Sequence, residues 1–212
     1  SGGPYHSSSV ESILTNIRGI KIAYPSNGAD LKGLLKAAYY DPNPVVILEH
    51  KGLYWSKVKG TDFAKVNEPS EDYILPFGKA NIVQEIWEQE TDETISVITY
   101  GMGVHWALNA SKKMKEKVEI IDLRTLYPLD EETILKSVRK TKKCLVVTEE
   151  PTNNSFARSL AGMIQEKCFR DLDAPVMVIG SENMPAILLN SILEQTMIPS
   201  SDKVKEKIKE LL

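Results

Sequence analysis

Four apolar runs, at residues 95–99, 118–122, 144–148 and 176–179, alternate with three stretches of helical periodicity near residues 104–115, 131–140 and 155–167. Little else folds from such a pattern than strands that return parallel after each helix. The expected class is therefore α/β, with a mostly parallel sheet and helices on both of its faces. The third helical stretch carries Phe156, Leu160, Met163 and Ile164 on one side. The second opens on Glu131 and Glu132 and closes on Arg139 and Lys140, the order that a helix dipole favours. The run from Val118 ends at Asp122, crosses a polar segment and re-enters a helix after Asp130. Asp122 and Arg124 are thereby placed at the carboxyl edge of the sheet, where open α/β folds bind ligands and partners.

The first quarter of the chain reads helix, strand, helix, strand. Ile13, Leu14 and Ile17 share a helical face, and Ile20 to Tyr24 is a short strand stopped by Pro25. Ser26 or Asn27 caps the next helix, whose stripe is Leu31, Leu34, Leu35 and Ala38. Asp41-Pro42-Asn43-Pro44 ends it, because proline neither continues a helix nor tolerates one just before it. Val45 to Leu48 is expected as a strand buried on both faces. Residues 52–80 are aperiodic and read as a linker between two domains. A hairpin is expected from Ile82–Ile86, across the acidic turn Glu90-Thr91-Asp92-Glu93, to Thr94–Tyr100. The lysine-rich tail 202–212 reads as a surface helix.

Composition narrows the function classes. A formal charge of −3 on 212 residues offers no field for nucleic acid or an anionic membrane. No apolar run approaches a membrane-spanning length. The two cysteines, Cys144 and Cys168, have no metal or disulfide spacing, so a reduced interior is expected. The opening Ser1-Gly2-Gly3-Pro4 reads as a fragment or processed product that begins inside a motif.

Four constellations could carry chemistry. Tyr100-Gly101-Met102-Gly103-Val104-His105-Trp106 follows a strand and opens a helix, with Asp122 about 20 residues on as a dinucleotide site requires. Trp106 stands where the third glycine belongs, so a tight strand-to-helix turn is the favoured reading, with His105 a surface or satisfied histidine. The glycine-led loop to His6-Ser7-Ser8-Ser9-Val10-Glu11 exposes an imidazole able to move protons near neutral pH, while Ser9 to Glu11 could equally supply helix capping. The turn at Asp41-Pro42-Asn43-Pro44 could lend backbone carbonyls and an Asn oxygen to a hard monovalent cation. Glu149-Glu150-Pro151-Thr152-Asn153-Asn154-Ser155 is either an active-site or contact loop, or a solvated loop with Asn154 or Ser155 as helix cap. Strand alternation points Glu149 and Glu150 apart, against a paired-carboxylate site.

Taken in order, these segments resemble the beta subunit of thiamine-diphosphate-dependent 2-oxoacid dehydrogenases, the decarboxylating component of pyruvate and branched-chain complexes. The resemblance rests on His6-Ser7 with Glu11, Pro25, Gly33-Leu34-Leu35, Asp41-Pro42-Asn43-Pro44, Leu48-Glu49-His50-Lys51 with Leu53-Tyr54, Pro76-Phe77-Gly78-Lys79-Ala80, Ile121 to Asp130, and Glu149 with Phe156-Ala157. It implies that residues 1–55 end a pyrimidine-binding domain, 56–80 link, and 81–212 form a transketolase C-terminal-like domain. It implies thiamine diphosphate and magnesium in the complete enzyme, with the main cofactor-binding residues upstream of Ser1 and in an alpha part. His6 matches the histidine that passes the acyl group to lipoyl-lysine. Ala38, Asp41 and Asn43 match positions that help hold a structural potassium ion.

The patterns around Lys51-Gly52-Leu53-Tyr54 and Glu149 to Ala157 look more like branched-chain than pyruvate enzymes. Gly180-Ser181-Glu182-Asn183-Met184-Pro185 and Asn153-Asn154-Ser155 depart from the family pattern. The implied partners are an alpha subunit or fused alpha region, a second beta copy and a lipoyl acyltransferase, in a bacterial cytoplasm or, alternatively, a mitochondrial matrix. The 212 residues alone are expected to be inactive and self-associating. A non-catalytic oligomerisation or docking module is the alternative from another class, and a nicotinamide-dinucleotide-binding domain a third.

Overall fold

The computed structural model describes residue 3 and residues 6–54, 58–87 and 93–212. Most of the glycine-led opening and most of the expected acidic turn at 90–93 lie outside the described residues. The first lobe runs α1 (Glu11–Thr15), β1 (Lys21–Ala23), α2 (Gly28–Tyr40) and β2 (Val45–Ile47). Asn27 caps α2, its side chain accepting from Asp30 N. Two single 3-10 turns, Lys51–Leu53 and Asp62–Ala64, punctuate the connection that follows. That connection packs on the first lobe: Leu75 joins Ala23 and Leu34 in a small core, and its N–H donates to Gly33 O at 3.2 Å.

The second lobe runs β3 (Asn81–Gln84), β4 (Ile95–Thr99), α3 (Met102–Ala110), β5 (Val118–Asp122), β6 (Thr125–Tyr127), α4 (Glu131–Thr141), β7 (Cys144–Pro151), α5 (Phe156–Cys168), β8 (Met177–Ser181), α6 (Ser191–Met197) and α7 (Ser201–Leu211). Its sheet has the order β3-β5-β4-β7-β8, with β5, β4, β7 and β8 parallel. Strand alternation divides the core in two. Ile95, Val97, Leu145 and Val147 face Ala107 of α3 and Val204 and Ile208 of α7. Ile98, Ile121 and Val146 face Ile134 and Val138 of α4 and Leu160 and Ile164 of α5. The expected parallel sheet covered on both faces is what forms.

Three expectations need correction. β3 does not pair with β4 as a hairpin; it lies antiparallel to β5, with Asn81 opposite Asp122. β4 is flanked on both sides by the parallel partners β5 and β7, so the outer side of β5 is where β3 can dock. β2 is not buried on both faces but half-buried, at the end of a three-stranded sheet ordered β2-β1-β6. The tail is more than a surface helix: Val204 and Ile208, one turn apart, are wholly buried in the face that includes α3. The lysines project from the rest of the helix, and it is the i, i+4 spacing of two β-branched residues that docks it.

The polar crossing after Asp122 contains β6, which pairs antiparallel with β1. The second lobe thus contributes a strand to the first lobe's sheet, and the carboxyl ends of β1, β4, β5 and β7 meet along one seam.

Candidate functional site

At the seam, most buried polar groups find a partner in the other lobe or in the adjoining turn. Asp122, fully buried, accepts from Ser26 Oγ at 2.5 Å and from Arg124 N at 3.0 Å. Burial pushes its carboxyl up to about 7 against those two donors. Arg124 takes a left-handed φ of 57° and directs its guanidinium onto Asp30, with Nε–Oδ2 and Nη2–Oδ1 both 2.8 Å. Its carbonyl accepts from Tyr24 N at 2.8 Å. His105 is buried; its Nε2 lies 2.8 Å from Ser26 O, so that nitrogen carries the hydrogen and donates, while Nδ1 finds no partner among the described residues. Burial holds the ring below the usual histidine range.

These contacts decide the glycine motif. Gly101 has φ 52°, and a Cβ there would lie 2.7 Å from the Tyr24 ring; a Cβ on Gly103 would run into Thr99 Oγ1. Both glycines serve close packing of the seam. Asp122, the expected ribose acid, is bound to Ser26 and not presented to solvent, so the motif lacks the acid a dinucleotide needs.

The end of β7 organises the second cluster. Glu150 is buried, and its two oxygens accept from Ser12 N at 2.7 Å and Phe156 N at 2.9 Å, so one carboxylate caps α1 and supports the start of α5. This corrects two expectations. No side chain from Ser9 to Glu11 caps α1, and the 149–155 loop is not simply solvated. Ser155 does cap α5, accepting from Arg158 N. Glu149 points elsewhere, to His50, with Oε2 2.9 Å from Nε2. Because His50 Nδ1 accepts from Gly52 N at 3.1 Å, Nε2 bears the proton given to Glu149.

His50 also lines a cleft of about 590 Å³ between the β1–α2 turn and the connection, with Ser26, Leu31, Glu49, Tyr54 and Lys65 on its walls. The Tyr54 phenol donates to Glu49, which raises its pKa. The volume and the mix of apolar wall and a few polar groups suit a small organic ligand.

The residues expected from sequence are not gathered in one place. His6 is exposed in a turn, its backbone N–H donating to Gly3 O at 3.3 Å, and is not among the cleft residues. Gly3 lies against Leu189, in the loop before α6. Ala38, Asp41 and Asn43 are together at the end of α2, but their groups are engaged. Ala38 O accepts from Asp41 N at 3.2 Å, Asp41 Oδ1 accepts from Asn43 N and Nδ2, and Asp41 Oδ2 is paired with the Lys21 ammonium. Those bonds hold the Asp41 carboxyl down at about 2, Lys21 contributing most. The Asp41 carboxylate is thus taken up by Lys21 and Asn43, which leaves the Asn43 side-chain oxygen and backbone carbonyls as the groups that a monovalent cation would use. Among the described residues no group of His, Cys, Asp and Glu could hold a metal.

Sequence reasoning missed the Asp30–Arg124 and His50–Glu149 pairs and the burial of Glu11. Each joins segments more than 90 residues apart or depends on how α1 docks, and no local pattern marks it.

Comparison with known proteins fits this geometry. Residues 80–204 match the transketolase C-terminal domain and residues 1–56 the transketolase pyrimidine binding domain. The chain is 40% identical over 99% of its length to the 2-oxoisovalerate dehydrogenase subunit beta of Bacillus subtilis, covering 61% of that protein. It is 35% identical over its full length to the mitochondrial 2-oxoisovalerate dehydrogenase subunit beta of Dictyostelium discoideum, covering 54% of it. It is 34% identical over 98% of its length to the pyruvate dehydrogenase E1 component subunit beta of Bacillus subtilis, covering 60% of it. The chain thus spans between about half and three-fifths of these relatives. A solved structure described as a split gene transketolase, inactive beta4 tetramer, superposes with a TM-score of 0.70 at 16% identity over 98% of this chain and 62% of its own. The fold, the two domain matches and the relatives agree: the chain belongs to the transketolase family, joining a pyrimidine-binding segment to a transketolase C-terminal domain.

Proposed function

We propose that this chain is the C-terminal part of the beta component of a 2-oxoacid dehydrogenase, and that the complete protein oxidatively decarboxylates a branched-chain 2-oxoacid and transfers the acyl group to lipoyl-lysine. The observation that carries the reading is similarity to 2-oxoisovalerate dehydrogenase beta subunits along essentially the whole chain. The residue division is 1–55 for the pyrimidine-binding part, 56–80 for the link and 81–212 for the C-terminal domain.

Thiamine diphosphate, with magnesium on its diphosphate, supplies the carbanion chemistry of the complete enzyme. The main groups that hold both belong upstream in the longer protein and to its alpha part. His6 is the chain's own contribution to chemistry: exposed in a turn, it offers an imidazole to proton transfer during acylation of the lipoyl arm. The 212 residues alone are inactive. The partners are an alpha subunit or region, a second beta copy and a lipoyl acyltransferase, in a bacterial cytoplasm or a mitochondrial matrix.

The test is turnover of the longer protein, assembled with its alpha part, against branched 2-oxoacids and pyruvate with thiamine diphosphate and magnesium. An artificial electron acceptor reads decarboxylation alone, and lipoyl acylation is followed separately. His6→Ala keeps the first and loses the second by about 10²-fold or more; unchanged acylation removes His6 from this role, and preference for pyruvate removes the branched-chain assignment.

A second reading is an assembly module acting only through its surfaces. What favours it is α2, whose Leu35, Tyr39 and Tyr40 are exposed, Tyr39 by 84%. Sedimentation of the chain alone does not separate the two, since both expect self-association without thiamine diphosphate binding; the His6→Ala assay does, because an assembly module leaves acylation unchanged.

A further inference from the structure

Glu11 is the least accounted-for group in the molecule. Its residue is 1% exposed, and neither carboxyl oxygen has a hydrogen-bond partner among the described residues. It sits on the first turn of α1, next to Ser12, whose N–H is taken by Glu150 Oε1. Both oxygens of Glu150 are engaged by backbone N–H groups, from Ser12 and from Phe156. Among the described residues, the groups that face Glu11 offer no positive charge. From β7 come Glu150 and Glu149, the latter paired with His50; from the ends of β1 and β4 come the phenols of Tyr24 and Tyr100, both raised by burial first, with Glu11 among the acids acting on them. A second anion in such a place is strongly disfavoured, because a buried charge without a partner is far costlier than a buried neutral acid.

We propose that Glu11 and Glu150 are positioning residues that form a proton-dependent clamp on the segment bearing His6: Glu150 holds α1 to the end of β7 through the Ser12 N–H, and Glu11 occupies its adjoining buried position only as the protonated acid. The reason is geometric. Glu150 has both oxygens engaged and no donor left to offer, so nothing in the cluster neutralises an ionised Glu11. Burial first, then Glu150 and Glu149, push the Glu11 carboxyl up to about 8. An undocked α1 would leave Glu11 in water near its ordinary value of 4.5. Docking therefore takes up a proton between those two values, and it weakens as pH rises toward 8. The inference concerns the free chain and stands whether or not the functional reading holds.

Hydrogen exchange followed by mass spectrometry tests it on the whole 212-residue chain. The peptide covering residues 6–20 is followed from pH 6 to 9.5, each rate divided by the intrinsic rate at that pH. Wild type loses protection in this peptide by on the order of tenfold or more between pH 6 and 8 and levels off above 9. A β4 peptide, buried in the sheet, does not follow the same curve. Glu11→Gln, a neutral isostere, keeps protection flat across the range. A flat wild-type profile, or a fall of the same size in Glu11→Gln, overturns the clamp. Should Glu11→Gln fail to fold, carboxyl ¹³C titration of wild type decides instead: a glutamate titrating near 8 supports the proposal. If every glutamate titrates in the ordinary range, as it would were a cation or water bridging Glu11 to Glu150, the proposal is wrong.

Discussion

Arg124 offers the sharpest energetic test of how the two lobes are joined. Its guanidinium meets Asp30 through two bonds of 2.8 Å, with side-chain exposures of 15% and 3%. Asp30 retains one further donor, Asn27 Nδ2 at 2.8 Å. Arg124→Ala leaves that carboxylate buried with one side-chain donor instead of three. Breaking a buried pair costs about 3–5 kcal/mol, and the surviving Asn27 bond places this case near the lower end, about 3 kcal/mol. Asp30→Asn is milder, about 1–2 kcal/mol, because Arg124, the more exposed partner, can recover water. The double variant removes the orphaned charge as well as its partner. It is expected to fall short of the sum of the singles by roughly 1–2 kcal/mol.

The backbone supplies an internal control. At φ 57° a side chain with a Cβ is strained, so Arg124→Gly should be less damaging than Arg124→Ala by roughly 1 kcal/mol although both abolish the ion pair. Urea unfolding at pH 7, read by far-ultraviolet circular dichroism with a shared m-value, measures all four. Additive single variants, to within about 0.5 kcal/mol, would mean that Arg124 and Asp30 do not act as a pair, and the account of the seam fails.

Two further predictions follow from the same geometry. Asp122 holds its proton up to about 7 in the fold and releases it near 3.8 when unfolded, so its contribution to stability is full below 3.8 and is lost as pH rises through 7. Asp122→Asn should flatten that part of the urea midpoint profile, a change on the order of 2–4 kcal/mol; a wild-type midpoint that climbs over this window, or an unaltered slope in the variant, contradicts it. Gly103→Ala should destabilise by about 1–3 kcal/mol, since its Cβ collides with Thr99 Oγ1, whereas Gly162→Ala on α5 meets nothing within 4 Å and should stabilise by roughly 0.5–1 kcal/mol; thermal melts of the two variants must move in opposite directions.

The second lobe was legible because its signals are local and redundant. Each buried strand is a continuous apolar run, α4 and α5 each carry one stripe, and Asp130 and Ser155 cap where capping residues are expected to. Strand partners were harder to read. Ile82 to Ile86 looks like half of a hairpin with β4, and alternation alone cannot say that both sides of β4 belong to parallel neighbours. β6 is three residues long and its partner, β1, lies about a hundred positions earlier, so a polar crossing hid a strand. The site was least legible. Arg124 was placed correctly at a sheet edge, but its partner Asp30 looks in sequence like any acid in a helix's first turn. Glu11 looks the same on α1, and only the docking of α1 against β7 takes it out of water.

Four acids near one sheet edge show why residue type alone could not assign their roles. Asp122 is fixed by a hydroxyl and a backbone N–H, and joins two lobes. Glu150 is fixed by two backbone N–H groups, and joins two helices. Glu11 has no donor among the described residues, and so is best accommodated neutral. Glu149 alone meets an ionisable donor on the wall of a cleft, His50, whose other nitrogen is already fixed by Gly52. A carboxylate takes part in proton transfer only if a partner can exchange a proton with it and a substrate can reach that partner. The backbone donors of Glu150 satisfy neither condition, since an amide does not give up its hydrogen near neutral pH; Ser26, the hydroxyl partner of Asp122, does line the cleft, but an alcohol is far too weak an acid to trade its proton with a carboxylate there. The pair with access to the cleft is therefore Glu149 and His50, while the burial that disqualifies Asp122 and Glu150 from chemistry is what makes them effective as joints.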